Sequence, residues 1–156
     1  MCRGYWGIGV FHCKSEVNIG TLWRSADAFG AAFVFTVGRR YQRQSSDTVG
    51  ATRHIPLYNY AGLDDLIQHL PYGCPLVGIE FLIDALPLRK FHHPAQACYL
   101  LGAEDHGLGP KELQRCHSLI VITGASACLN VASAGTVVMY DRAAKAARLE
   151  AKNEPG

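Results

Sequence analysis

Short apolar runs alternate along this chain with segments whose apolar residues recur every three or four positions. Short runs bounded by Gly, Pro or polar residues suit strands buried on both faces. They predict strands over 6–11, 32–37, 75–81, 97–101 and 118–122, and a weaker one near 55–60. In the first helical segment Ile19, Leu22, Trp23, Ala26 and Phe29 fall on one stripe. Asn18 is a suitable N-cap and Gly30 a suitable residue just past the end. Arg24 lies off the stripe and is expected to emerge near a strand end instead of entering the core. Further helices are predicted over 63–70, stopping before Pro71, over 110–116, with Pro110 in its first turn, and over 132–151. Strands alternating with helices mean βαβ units, hence an α/β protein with a mostly parallel sheet.

The chain has 156 residues. That suits one domain, expected over 1–150, followed by a flexible tail over 151–156. No apolar run approaches the roughly 20 residues of a membrane helix. Met1-Cys2-Arg3-Gly4-Tyr5-Trp6 lacks the apolar core of a signal peptide. A soluble, cytoplasmic protein without membrane attachment is the expectation. The net charge is only +2, but it is unevenly spread. Residues 1–60 hold seven basic and three acidic side chains; residues 61–110 hold two basic and six acidic ones. Arg predominates among the cations, and Arg forks phosphate and stacks on bases better than Lys. The stretch Arg39-Arg40-Tyr41-Gln42-Arg43-Gln44, extended by Arg53-His54, interleaves cations, an aromatic and amides, a composition suited to RNA. A solvated basic loop would read the same way. The six cysteines and seven histidines lack the short spacings of a metal site, so no metal is expected and a reducing compartment is.

Ligands of open parallel sheets bind beyond the carboxyl ends of the strands. The segments to read are therefore 11–18, the stretch after Ile79, 102–109 and 123–130. Ordinary nucleotide motifs fail there. Gly7-Ile8-Gly9 lies inside a strand and lacks a third glycine at the right offset. Gly102-x4-Gly107 is followed by Leu108-Gly109, not by Lys and Ser or Thr.

Three segments instead resemble, in order, the motifs of the SpoU/TrmH branch of the SPOUT RNA methyltransferases. Asn18, Gly20, Arg24, Phe29 and Gly30 complete the first motif, Asn-x-Gly-x3-Arg-x4-Phe-Gly. Gly102, Glu104, Gly107 and Leu108 supply the second, Gly-x-Glu-x2-Gly-Leu. Cys128-Leu129-Asn130-Val131-Ala132 matches the third, Ser-Leu-Asn-Val-Ser, with both serines replaced. The resemblance runs from Trp6 to Arg142.

The resemblance implies a Rossmann-like sheet with a C-terminal trefoil knot, a homodimer with sites completed across its interface, and S-adenosylmethionine as cofactor. The implied reaction is methyl transfer to a ribose 2′-hydroxyl of tRNA or rRNA. By the same likeness Arg24, Asn18 and Glu104 carry catalysis. Arg24 would stabilise the incipient alkoxide, because Arg stays protonated and makes a poor base. Glu104 would receive a donor from the RNA, the other subunit or Arg24. Ile79, Gly102, Gly107, Ile122, Cys128, Leu129 and Asn130 would hold the cofactor; composition, not the likeness, makes Arg39, Arg40, Arg43 and Arg53 the candidates for RNA. Each also has a plain structural reading: helix caps for Asn18 and Asn130, turn glycines, core aliphatics.

Two other functions are weighed. A knotted RNA-binding protein with weak or lost transferase activity would follow from Cys128 and Ala132, since a thiol is a poor substitute for a hydroxyl. A cysteine enzyme using Cys13 or Cys128 ranks last, because nothing in the sequence places a base beside either thiol.

Overall fold

A computed structural model of the chain describes residues 4–41 and 54–153. The elements in order are β1 (Tyr5–Phe11), α1 (Glu16–Ala28), β2 (Phe33–Val37), β3 (Leu57–Tyr60), α2 (Leu63–Gln68), β4 (Leu76–Ile79), β5 (Leu86–Pro87), β6 (Gln96–Leu101), α3 (Pro110–Arg115), β7 (Ser118–Val121) and α4 (Val131–Asn153). The strands form one sheet in the order β3-β2-β1-β6-β4-β7-β5, and every pairing is parallel. The α/β class and the parallel sheet follow the periodicity. The two-residue strand β5 was not foreseen; so short a run carries no period. Strand β4 ends at Ile79, two residues before the expected end, so Glu80 and Phe81 belong to a loop. Helix α4 runs on to Asn153, past the expected end at 151.

Helices cover both faces of the sheet. On one face Trp6, Ile8 and Val10 pack with Ile19, Leu22 and Ala26 of α1 and with Val138 and Met139 of α4. On the other Phe33, Phe35, Cys98 and Leu100 pack with Leu66 of α2, and Leu113 of α3 lies against them. The alternation within β1 explains its glycines. A Cβ on Gly7 would sit 2.3 Å from Cε2 of the buried Phe33 ring. These glycines make room for the aromatic rings of Phe33 and Phe35 on β2. Gly7→Ala is expected to cost about 2 kcal/mol through overpacking. That corresponds to a melting temperature lower by roughly 4–8 °C, read by calorimetry.

Helix α1 begins one turn before the expected start. Its N-cap is Ser15, in extended backbone, whose hydroxyl accepts from the amide N–H of Asn18. Asn18 is thereby a first-turn residue and its side chain is free for other partners. The far end matches expectation: Phe29 is the C-cap and Gly30 follows at φ +76°, a left-handed conformation that glycine adopts without strain. Helix α4 is held to the sheet by a buried cation. Arg142 donates to the carbonyls of Pro94 and Ala95 and to the Tyr99 hydroxyl, and its guanidinium lies 5.2 Å from the centre of the Trp6 ring. Beside it Asp141 bonds His93 Nε2 at 2.9 Å and pairs with Lys145.

No helix among the described residues is long and apolar enough to cross a membrane. Among the same residues no cluster of three or more His, Cys, Asp or Glu could hold a metal.

Candidate cofactor cleft and active site

The adjacent strands β6, β4 and β7 end side by side, and their following loops enclose one cleft of about 290 Å³. It is lined by Ile79 and Glu80 after β4, Gly102 through Gly107 after β6, and Ile122, Cys128 and Leu129 after β7. The two late motifs, 102–108 and 128–132, thus both supply walls of one cleft. The first wall is tight. Ala103 and Gly107 exchange backbone hydrogen bonds of 3.3 and 3.0 Å, closing the Glu104–His106 turn. A Cβ on Gly102 would lie 2.5 Å from Gly107 Cα, so a side chain there would collide with backbone.

Glu104 links this turn to the first motif. Its carboxylate accepts from the backbone N–H of Lys14 (2.9 Å) and Ser15 (3.1 Å), from Asn18 Nδ2 (2.9 Å) and from Cys13 Sγ (3.1 Å). Partial burial alone would raise its pKa, but the donors of Lys14, Asn18 and Cys13 outweigh that and hold it down to about 2. The carboxylate is charged at any working pH and lies at the positive end of the α1 dipole. Its partners are therefore the amides and side chains entering α1, not Arg24 as one expected alternative had it.

Asn130 extends the chain of contacts to the third motif. Its Oδ1 accepts from the N–H groups of Ala132 and Ser133, capping α4, while its Nδ2 donates to Asn18 Oδ1 at 3.0 Å. The cap and the tie across the site are both present. Glu104, Asn18 and Asn130, from three distant segments, make one hydrogen-bonded row.

Arg24 stands apart. It is exposed and does not line the cleft. Six residues separate it from Asn18, which turns it about 120° around the helix from that row. Its own face of α1 carries Val17, Thr21 and Ala28, all exposed. Arg39 donates to the carbonyls of Cys13 (3.2 Å) and Lys14 (2.6 Å), so it braces the entry to α1. Arg40 is exposed; Arg43 and Arg53 lie outside the described residues.

The thiols divide. Burial, then the Glu104 contact, pushes Cys13 up to about 12. It stays protonated and donates to a carboxylate, which removes it as a nucleophile. Cys128 is exposed in the cleft. Cys128→Ser puts a stronger hydrogen-bonding group there and, for the methyl transfer that the sequence resemblance implies, is expected to leave the rate equal or up to a few-fold higher. A sharp loss in initial rate would show that the thiol has its own task.

Glu80 and Ser15 were missed in the sequence. Glu80 sits inside the apolar run 75–81, whose pattern predicts one continuous strand, while the strand ends at Ile79. A carboxylate at the carboxyl end of such a run was the available signal.

A parallel α/β sheet with a glycine-lined cleft at its carboxyl edge is the architecture of proteins that bind nucleotide-like ligands. The SpoU rRNA methylase family model matches residues 8–140, and the chain belongs to that family. It is 27% identical over 143 residues to a Staphylococcus epidermidis protein assigned to the TrmH family of tRNA/rRNA methyltransferases, covering 87% of this chain and 57% of that one. It is 26% identical over 133 residues to the 23S rRNA (guanosine-2′-O-)-methyltransferase RlmB of Acinetobacter baylyi, covering 80% and 53%. The chain spans about half the length of the curated relatives it matches. The crystal structure of an AdoMet-bound rRNA methyltransferase from Sinorhizobium meliloti superposes with a TM-score of 0.78 at 25% identity, over 92% of this chain and 57% of that one.

Proposed function

We propose that this protein transfers a methyl group from S-adenosylmethionine to a ribose 2′-hydroxyl of tRNA or rRNA, as a cytoplasmic homodimer. The observation that carries the reading is the hydrogen-bonded row of Glu104, Asn18 and Asn130 beside the cleft, which joins all three motifs. The cleft also suits the cofactor. Ile79, Ile122 and Leu129 offer apolar walls for a purine, and the tight turn through Gly102 and Gly107 lines the same cleft. Held by these residues, S-adenosylmethionine would supply an electrophilic methyl group, with the neutral thioether as the leaving group.

The chain's residues have three tasks. Glu104 fixes the late glycine turn to the start of α1, so that the cleft wall keeps its shape. Asn18 and Asn130 hold the α1 and α4 starts in register and present amide groups to the ribose. Arg24 stabilises the negative charge growing on the 2′-oxygen as its proton leaves. Because Arg24 projects from α1 about 120° away from that row, it serves a cleft completed by a second copy of the chain. Support for pairing comes from exposed apolar residues on the same two helices, Val17 on α1 and Val137 and Tyr140 on α4. The trefoil knot is proposed on the likeness of fold and on the insertion of β7 between β4 and β5. Arg40, with Arg43 and Arg53, is proposed to meet the RNA backbone. A second reading, an RNA-binding protein of weak activity, has one observation in its favour: Cys128 lines the cleft where the family motif has serine.

Label transfer from S-adenosylmethionine to fractionated RNA, followed by nucleoside mapping, tests the proposal. A 2′-O-methylated nucleoside is expected. Cofactor binding without transfer to any RNA fraction would favour the second reading, and no binding at millimolar cofactor would defeat both the cofactor and the reaction.

A further inference from the structure

Glu80 has no part in the mechanism above, yet it stands in the cleft wall where β4 ends. We infer that Glu80 sets the preference of the cleft for the positively charged methyl donor over its neutral demethylated product. The inference rests on the methyltransferase reading and adds a specificity-determining residue to it.

The geometry fixes this carboxylate firmly. Oε2 accepts from the backbone N–H of Leu108 at 2.6 Å, and Oε1 from that of Phe81 at 2.9 Å. The side chain therefore bridges two loops of the cleft. Gly107 makes the bridge feasible: at φ +61° a Cβ there would lie 2.3 Å from Glu80 Oε2. Both partners of Glu80 are neutral amides. Among the described residues three carboxylates line the cleft, those of Glu80, Glu104 and Asp105, and no Lys or Arg does. Asp105 is ion-paired with Lys14. Glu104 is shared among the donors at the head of α1. No cation pairs with Glu80 or Glu104 among the described residues, but four donors share the Glu104 charge and only two amides share that of Glu80.

The two ligands differ chiefly in one charge. At neutral pH S-adenosylmethionine carries an ammonium, a carboxylate and a sulfonium, a net +1. S-adenosylhomocysteine retains the ammonium and carboxylate and is neutral overall. A fixed negative wall attracts the first and is nearly indifferent to the second. Transfer of the methyl group would then loosen the product in the same step that makes it. For charges several ångströms apart at a partly hydrated site, the attraction corresponds to a roughly three- to tenfold bias in affinity.

The test is calorimetric titration of the full chain with each ligand, for the unaltered protein, Glu80→Gln and Glu80→Asp, with melting curves to verify folding. Glu80→Gln keeps the side-chain length and one carbonyl acceptor but removes the charge. The preference for S-adenosylmethionine should fall roughly three- to tenfold in Glu80→Gln. In Glu80→Asp both affinities should drop as the bridge loosens, with their ratio kept within about twofold, because the charge remains. Should Glu80→Gln not fold, the unaltered protein still decides, since its preference should shrink as salt rises from about 0.05 to 0.5 M. Equal weakening of both ligands in Glu80→Gln, or a ratio indifferent to salt, would show a merely structural role and overturn the inference. Failure of the unaltered protein to bind either ligand would overturn the methyltransferase reading itself, an outcome distinct from a lost preference.

Discussion

Arg24→Ala should lower methyl transfer to RNA by about 10²- to 10³-fold while leaving S-adenosylmethionine affinity within about twofold, because loss of a charge-stabilising donor acts on the transition state. The placement of Arg24 explains the split. It lies outside the cofactor cleft, on a helix face exposed to solvent, so removing it disturbs no contact that shapes that cleft. Its charge is needed only as the 2′-oxygen loses its proton. Arg24→Lys keeps the charge but loses the planar fork and should recover part of the rate. Single-turnover label transfer read beside calorimetric cofactor binding separates the two effects. A mutant as active as the parent would remove Arg24 from the mechanism. Loss of cofactor binding together with activity would mean that Arg24 shapes the cleft and leaves the transition state to other groups. The expected dimer allows a sharper check. Mixing an Arg24→Ala chain with a Glu104→Ala chain should restore some activity, because one of the two sites in the mixed pair would carry neither lesion.

Glu104→Ala should damage binding and chemistry together, with cofactor affinity down at least tenfold and transfer down about 10²-fold, because the cleft wall and the reacting row share this carboxylate. Four donors lose their acceptor at once: two backbone amides, Asn18 and Cys13. Asn18 is then free to turn, and its tie to Asn130 loses the fixed orientation that holds α4 against α1. The same carboxylate gives a pH signature. Its pKa lies at about 2 in the folded chain, below the ordinary 4.5. A lowered folded-state value stabilises the protein above the unfolded pKa and is lost as pH falls through the folded one, here between about 4.5 and 2. The group is exposed, so solvent screening reduces its contribution to about 1 kcal/mol. Glu104→Gln should therefore flatten the acid limb of the stability curve by that amount. An acid limb unchanged by Glu104→Gln would show that the four donors find equally good partners in water.

Much of the candidate site could be read from the sequence because its parts are local. The glycine at 102 and the one at 107 advertise a tight turn, and Asn130 before a run of small residues advertises a helix start. The spacing of Ile19, Leu22, Trp23 and Ala26 marks the buried stripe of α1, and it put Arg24 on the exposed side. Local pattern erred where a tertiary partner chose between options of similar energy. Asn18 and Ser15 are both good N-caps. The helix starts at Ser15 because Glu104, far along the chain, accepts from the amides of Lys14 and Ser15. Arg39 looked like an RNA contact by composition, but carbonyls at the entry to α1 claim part of its guanidinium. Glu80 vanished into an apolar run, because period alone does not show where a buried strand stops.

The sequence by itself determined the parallel α/β layering and the helix-buried stripes, and its resemblance to the family picked out the three segments that meet beside the cleft. Hydrophobic period and backbone demands act over a few residues and are written there directly. Only the tertiary structure decided which carboxylate meets which donor, that Glu80 bridges two loops, and that Arg24 faces away from the row of Asn18, Glu104 and Asn130. Those outcomes depend on hydrogen-bond distances between segments up to about a hundred residues apart. Such distances are fixed by the order of strands in the sheet and by the packing of α1 on α4, which no local pattern contains.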